Sequence, residues 1–265
     1  MKILYCGDIV GRAGRHVIIK HIKDIRQKYA LDCVIVNGEN AAHGFGLSPK
    51  IAQDLLDNGV DFITTGNHIW QQKEIYPFLD SSKQIIRPLN YPENLCGKGY
   101  QAIDINGKKI LITQVLGRLF MPPVNSITEP LDRLLKLYTL GKNVDAVVVD
   151  IHGEATSEKL ALGYYLDGRV SLVAGTHTHV PTSDARILPQ QTGYITDVGM
   201  CGDFNSVLGF EPEAPMERLA EKLTVQNKLT PANGKELTIW GVMIETTPEG
   251  LCQSITQIRE TFTNA

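Results

Sequence analysis

Eight side chains that can bind metal ions or transfer protons lie in short polar segments, each following an apolar run. A polar residue after one strand means little, because loops are generally polar. Here the pattern recurs five times and supplies two carboxylates, two amides and four imidazoles. This repetition predicts one shared site made of Asp8, Glu39, Asn40, Asn67, His68, His152, His177 and His179.

The residue types favour a metal centre. Carboxylate, amide and imidazole groups without a thiolate suit manganese, iron or zinc and disfavour a cysteine-held structural zinc. Iron or manganese is the expected metal, with zinc and magnesium as alternatives. Because there are too many ligands for one ion, we expect two ions about 3.5–4 Å apart that share Glu39 and a solvent-derived hydroxide. A nucleotide-binding turn at Asp8 is disfavoured, because Gly7, Gly11 and Gly14 do not form GxGxxG.

Alternating strands and helices must position these groups. Apolar runs at 2–6, 33–36 and 60–64 read as buried strands, separated by helices at about 12–29 and 48–58. Ser48 and Pro49 form a typical helix start. Further strands at 144–149 and 169–174 precede the last three histidines, where Gly175 is expected to permit a bend and Pro181 to end the strand. Ligands bind beyond the carboxyl ends of strands in such α/β sheets.

The remaining segments add antiparallel strands and helices. Asn106-Gly107 predicts a hairpin between strands 100–105 and 109–115. The other expected elements are a short helix ending near 79, helices ending near 140 and 166, strands at 185–188 and 193–196, a helix at 215–224, and strands at 237–246 and 253–258. The order predicts an α/β fold in which two packed mixed sheets are flanked by helices, within one domain spanning 1–265.

Composition excludes several functional classes. The formal net charge of −3 provides no general attraction to nucleic acid or to an anionic membrane. Five scattered cysteines without a CxxC motif indicate reduced thiols rather than a disulfide framework. No apolar stretch has the length of a membrane span or the form of a signal peptide. We therefore expect a cytoplasmic protein without a membrane partner.

A series of strand-end motifs resembles that of the calcineurin-like metallophosphoesterases over roughly the first two hundred residues. The motifs are Gly7-Asp8, Asn37-Gly38-Glu39-Asn40, Gly66-Asn67-His68, His152 and Gly175-Thr176-His177-Thr178-His179. Two departures from the common pattern stand out: Val10 replaces a histidine, and Glu39-Asn40 replaces a bridging aspartate. These departures, with Thr196-Asp197-Val198-Gly199-Met200, resemble the bacterial YmdB-type branch.

The resemblance implies a fold and a division of roles. It implies a four-layer α/β/β/α sandwich. Asp8, Glu39, Asn40 and His179 would hold one metal ion, and Glu39, Asn67, His152 and His177 would hold the other. His68 would act as the general acid. Asn40 is either a direct ligand or a group that orients one, since Val10 leaves the first ion without its usual histidine.

The resemblance also implies hydrolysis of small phosphodiesters, particularly 2′,3′-cyclic nucleotides, by a metal-bound hydroxide. A phosphomonoesterase or nuclease using the same site is an alternative, as is a metal-binding regulatory protein without activity. Retention of His68 argues against the regulatory protein, because a binding module needs no general acid. Long nucleic acid is disfavoured because no basic, aromatic-bearing groove is evident. The expected partners are a small phosphoester substrate and further copies of the chain.

Three further positions leave alternatives open. Asp197 could hydrogen-bond a ligand histidine or form a turn before Gly199. His43 could contact substrate or serve only the structure of its glycine-containing loop. Arg12, at the start of a basic helix, could attract an anionic substrate or belong to a solvated face.

Overall fold

Two mixed sheets form the centre of the molecule, as seen in a computed structural model that describes residues 1–220 and 228–264. The strands are β1 (Lys2–Val10), β2 (Cys33–Asn40), β3 (Phe62–Thr64), β4 (Tyr100–Ile105), β5 (Lys108–Leu116), β6 (Ala146–His152), β7 (Leu172–Thr176), β8 (Arg186–Ile187), β9 (Gly193–Ile195), β10 (Met200–Gly202), β11 (Glu236–Thr246) and β12 (Cys252–Thr263). The α-helices are α1 (Gly11–Tyr29), α2 (Pro49–Asp57), α3 (Ile75–Ser81), α4 (Thr128–Leu137), α5 (Thr156–Leu166) and α6 (Glu213–Leu219), and a 3₁₀ helix covers Asn67–Gln71.

The strand order places the first three and the last three strands in one sheet and the six strands between them in the other. The first sheet has the order β12-β11-β10-β1-β2-β3, in which β10, β1, β2 and β3 are parallel. The second has the order β4-β5-β6-β7-β9-β8, in which β5, β6, β7 and β9 are parallel. Strands at the margins of both sheets are antiparallel. Each sheet therefore presents a set of parallel carboxyl ends that can contribute to a site.

Alternation along β1 separates two cores. Ile3 and Tyr5 point between the sheets, where they pack with second-sheet residues such as Ile110. Leu4 and Cys6 face the opposite side and join the apolar stripe of α1. A third core lies between the outer face of the second sheet and helices α4 and α5. These layers are helix, sheet, sheet and helix, which confirms the predicted α/β sandwich.

Local signals in the sequence account for several element boundaries. The Ser48 hydroxyl accepts a hydrogen bond from the Ile51 amide at 3.3 Å, as expected for a residue that caps α2. Asn106 and Gly107 have φ values of 53° and 77°, and they join the antiparallel pair β4–β5. Two successive positive φ angles fit a tight hairpin turn, so the predicted hairpin is confirmed.

Several elements begin or end at residues other than those predicted. β1 extends to Val10 and β2 to Asn40, so Asp8 and Glu39 lie within strands rather than after them. The register of the β1–β2 pair shifts between Cys6 and Val10. Because of this irregularity, the regular alternation of apolar and polar residues does not reveal that the strands continue. The three-residue β10 was not predicted, and α4 ends at Leu137 rather than near 140. The helix expected at 215–224 begins earlier, and positions 221–224 lie outside the described residues.

The predicted bend at Gly175 was wrong in its position. Gly175 lies inside β7, whereas the left-handed backbone occurs at His177 with φ 98° and at His179 with φ 66°. Gly175 is needed for another reason, because a Cβ there would overlap the carbonyl oxygen of Thr196.

Among the described residues, no helix combines the length and apolar character that crossing a membrane requires.

Candidate metal centre

The eight candidate side chains converge where the two sheets meet at their parallel carboxyl ends. The first sheet supplies the groups from β1 and β2 and those in the 3₁₀ helix after β3. The second sheet supplies His152 as the last residue of β6, and His177 and His179 directly after β7. All eight are thus brought together by elements from both halves of the fold.

Glu39 lies at the centre of this convergence. One group of three possible ligand atoms comes from Glu39, His152 and His177, and a second comes from Asp8, Glu39 and His179. Within each group the atoms lie within 4.8 Å of one another. A carboxylate that belongs to both groups is placed as a bridging ligand of a two-metal site would be.

Lone-pair atoms face one another in the group that contains His152. Its Nε2 lies 3.0 Å from Glu39 Oε2, 3.0 Å from Asn67 Oδ1 and 3.1 Å from His177 Nδ1. On the other side of the ring, Nδ1 lies 2.8 Å from the Thr176 hydroxyl oxygen, and that hydroxyl in turn donates to Asp150. Nδ1 therefore carries the proton, which leaves Nε2 free to bind a cation.

The second group has the same arrangement around His179. Its Nδ1 donates to the carbonyl oxygen of Leu208 at 2.8 Å, so Nε2 presents a lone pair. That Nε2 lies 4.0 Å from Asp8 Oδ2. The other Asp8 oxygen, Oδ1, is buried and has no hydrogen-bond partner in the described part of the chain. A buried carboxylate oxygen without a hydrogen-bond partner, on a residue of this donor group, fits a bound cation.

The electrostatics of the buried groups point the same way. Burial and the adjacent charge of Glu39 raise the pKa of Asp8 well above its usual range. Burial, together with the neighbouring His152, lowers the pKa of His177 to about 3, so its imidazole is neutral. Burial likewise lowers the pKa of His179. Neutral imidazoles beside crowded carboxylates form a donor set that a metal cation would stabilise.

Asn40 joins the metal cluster to His68. Its amide oxygen accepts a hydrogen bond from His68 Nδ1 at 2.8 Å. Its amide nitrogen lies 2.9 Å from Glu39 Oε1 and 3.0 Å from His179 Nε2. In this orientation the Asn40 oxygen bonds His68, and its nitrogen faces Glu39 and His179. This arrangement suits a residue that orients those three side chains.

The comparisons with known proteins place the chain in a family. The YmdB-like protein family matches residues 4–258. The chain belongs to this family. It is 45% identical over 245 residues to a 2′,3′-cyclic-nucleotide 2′-phosphodiesterase of Bacillus subtilis, and the match covers 92% of this chain and 91% of that protein.

Solved structures of similar proteins share the whole architecture. A hypothetical protein from Thermus thermophilus superposes with a TM-score of 0.91 at 40% identity, covering 98% of this chain and 99% of that one. A structure described as a novel phosphatase of Mycoplasma pneumoniae gives 0.89 at 35% identity, with coverage of 98% and 93%. The fold of this YmdB-like chain is therefore that of its relatives along its length.

Buried residues that were not predicted support the candidate ligands from behind. Asp150, two residues before His152 on β6, accepts hydrogen bonds from Thr176 at 2.7 Å and from the Tyr5 hydroxyl. Asp150 and Thr176 are fully buried. The chain Asp150–Thr176–His152 orients the imidazole. The available signal was an aspartate directly after the predicted strand at 144–149 and two residues before a candidate ligand.

The structure places the three positions whose roles the sequence left open. Asp197 forms the turn before Gly199, whose amide donates to Asp197 Oδ1 at 2.9 Å. Its other oxygen accepts from Lys159 Nζ at 2.8 Å and from the Thr178 amide at 3.1 Å, so it also fixes the backbone between the two candidate histidines. His43 and Arg12 are exposed and line a separate recess of about 270 Å³.

A cavity of about 480 Å³ opens onto the candidate centre. Glu39, Asn40, His68, His177 and His179 line one end of it. The volume is within the roughly 300–1,000 Å³ range typical of small-ligand sites. A larger cavity of about 820 Å³ lies elsewhere, and its described lining includes none of the eight candidates. The smaller cavity is the one whose walls carry candidate metal ligands and His68, so it is the candidate substrate site.

Proposed function

We propose that the chain is a dinuclear metal-dependent phosphodiesterase that hydrolyses small phosphodiesters, with 2′,3′-cyclic nucleotides as the preferred class. The observation that carries this proposal is the position of Glu39 in both donor groups, at the end of a cavity that His68 also lines. The family supports it, since one relative is described as a 2′,3′-cyclic-nucleotide 2′-phosphodiesterase.

The proposed ligands follow the two donor groups. Asp8, Glu39 and His179 would hold one ion, with Asn40 beside it as an orienting group. Glu39, Asn67, His152 and His177 would hold the other. When bound, such a pair of ions polarises the phosphoryl group and activates a water molecule. We propose iron or manganese as the resident metal, on the basis of the mixed oxygen and imidazole ligands.

His68 is the proposed proton donor. Its Nδ1 is engaged with Asn40, and the side chain is 25% exposed and lines the cavity. Although burial opposes protonation, the hydrogen bond and charge of Glu39 raise the pKa of His68. The second ring nitrogen can give its proton to the departing oxygen as the phosphorus–oxygen bond breaks. Water supplies the new oxygen on phosphorus, so the product is a phosphomonoester and a free hydroxyl.

The test compares wild type with His68→Ala and His177→Ala in a manganese-supplemented hydrolysis of 2′,3′-cyclic AMP. We expect His68→Ala to keep its metal and to lose about 10²–10⁴-fold in kcat, because only proton donation is removed. His177→Ala is expected to lose activity together with the ion of its own donor group, so that its metal content falls to about half of wild type. Metal content is measured for each protein by inductively coupled plasma mass spectrometry.

The outcomes separate the alternatives. A metal-loaded wild type that is inert on cyclic and linear phosphodiesters but cleaves 2′-AMP or 3′-AMP would identify a phosphomonoesterase. Inactivity on all of these would contradict catalysis and favour a metal-binding regulatory role. The metal content of wild type as purified, before manganese is added, tests the identity of the native metal, and light scattering tests the expected homo-oligomeric state. We further propose that the chain is one domain and acts in the cytoplasm on a small-molecule substrate.

A further inference from the structure

The cavity at the candidate metal centre has two chemically different ends. The polar end carries the metal-ligand candidates and His68, as described above. The rest of the lining contains Glu154, Arg218 and an apolar surface that begins beside His68. This surface, here called the apolar wall, is formed by Phe45, Val207, Leu208, Phe210 and Leu229. The polar end can bind a phosphate group through its charges and metal ligands. Phosphate binding does not require the apolar wall.

An aromatic pair forms the part of the wall nearest the catalytic groups. The rings of Phe45 and Phe210 are stacked, with centroids 5.6 Å apart and an interplanar angle of 27°. Phe45 also packs edge-on against His68 at 5.2 Å between centroids. Val10 and Met200 pack in the same apolar cluster as Phe210. The pair is therefore a supported surface directly beside the proposed proton donor.

The rest of the wall is exposed although it is apolar. Val207 is 37% exposed and Leu208 is 46% exposed, and both face the cavity that continues into the metal centre. The Leu208 carbonyl oxygen accepts the hydrogen bond from His179 Nδ1 at 2.8 Å, so this loop is tied to a candidate ligand. Exposed apolar side chains at a fixed position next to a catalytic site indicate a substrate group that covers them.

We propose that the apolar wall binds the nucleobase while the polar end of the cavity holds the phosphate. This inference rests on the proposed function and adds to it the surface that recognises the base of the nucleotide. A 2′,3′-cyclic nucleotide carries an anionic phosphate ring and an aromatic base on opposite sides of one ribose. Bases stack on aromatic side chains regardless of base identity, and this matches an apolar wall with two phenylalanines.

The experiment measures KM and kcat for 2′,3′-cyclic AMP and for ribose 2,3-cyclic phosphate, which lacks the base. The variants are Phe210→Ala and Leu208→Ser. Leu208 is exposed, so its substitution tests the wall even if Phe210→Ala is poorly folded. We expect KM for the cyclic nucleotide to rise about tenfold, in the range found for lost apolar pocket contacts. KM for the base-free compound and kcat for both substrates should be unchanged.

A binding measurement makes the inference independent of turnover. Adenosine, which has the base but no phosphate, is titrated into the metal-loaded protein by calorimetry. Its dissociation constant should rise about tenfold in both variants. Phe120→Ala is the matched control, because Phe120 is 89% exposed and lies outside the cavity. It should behave as wild type in every assay.

The outcomes distinguish this inference from the proposed function. Equal losses on the nucleotide and the base-free compound, or adenosine binding that neither variant weakens, would overturn the role of the wall. A wild type that turns over both compounds with the same KM would also overturn it, while the phosphodiesterase function would stand. If wild type hydrolyses neither compound yet adenosine binding depends on Phe210 and Leu208, the wall is supported and the proposed function fails.

Discussion

Glu39 belongs to both donor groups, whereas Asp8 and His177 each belong to one. Loss of Glu39 should therefore affect metal binding differently from loss of Asp8 or His177. Loss of a ligand held by one group should leave the other group able to bind its ion. Loss of the shared carboxylate removes a ligand from both groups. It also removes the negative charge that reduces the repulsion between the two cations.

The first residue-scale prediction therefore concerns metal stoichiometry. Wild type should bind about two ions per chain, Asp8→Asn about one, and Glu39→Gln close to none under the same conditions. Mass spectrometry after dialysis against manganese gives the content. Glu129→Gln, a matched change on the exposed face of α4, should keep the wild-type value. Equal metal contents in Asp8→Asn and Glu39→Gln would show that Glu39 is not shared.

At the scale of elements, the junction between β3 and the 3₁₀ helix is unusually close to the site. Gly66 has a φ of 140°, a conformation that side chains rarely adopt. A Cβ at this position would overlap Oε2 of Glu39. The turn thus brings Asn67 and His68 to the candidate centre, because the backbone can approach a buried carboxylate without an intervening side chain.

Gly66→Ala should therefore lose both stability and metal. The backbone strain is worth about 1–3 kcal/mol, and the displaced Glu39 carboxylate should reduce metal content below half of wild type. Gly107→Ala is a sharp control, since Gly107 also has a positive φ of 77° but a Cβ added there would meet nothing within 4 Å. It should lose stability in denaturant unfolding and keep its metal. A Gly66→Ala protein with full metal content would contradict the close approach.

These elements also show which features can be predicted from sequence. Strand-end polar groups were identifiable because apolar runs and glycines mark where buried strands finish. The layered α/β architecture follows from the same alternation. Asp150 was missed because its role depends on contacts with Tyr5 and Thr176, which are distant in the chain. The bend at His177 was misplaced because tertiary contacts, here the Asp8 carboxylate accepting from the His177 amide at 2.9 Å, override the local preference for glycine.

At the scale of the whole molecule, the candidate centre joins the two sheets. Asp8 and Glu39 come from the first sheet, and His152 and the histidines after β7 come from the second. The core between the sheets is likewise built from both, with Tyr5 and Ile112 among its buried members. Neither sheet can separate from the other without exposing this core and dismantling both donor groups.

We therefore expect one cooperative unfolding transition whose midpoint depends on metal. Each ion that binds only the native state at about 100 times its dissociation constant adds about 2.7 kcal/mol of stability, so two ions add about 5.4 kcal/mol. For a chain of this size that corresponds to a Tm about 10–20 °C higher than after chelation. Far-ultraviolet circular dichroism and tryptophan fluorescence should report the same midpoint in each state. Separate midpoints for the two probes, or a Tm that chelation leaves unchanged, would show that the sheets unfold independently or that metal does not bridge them.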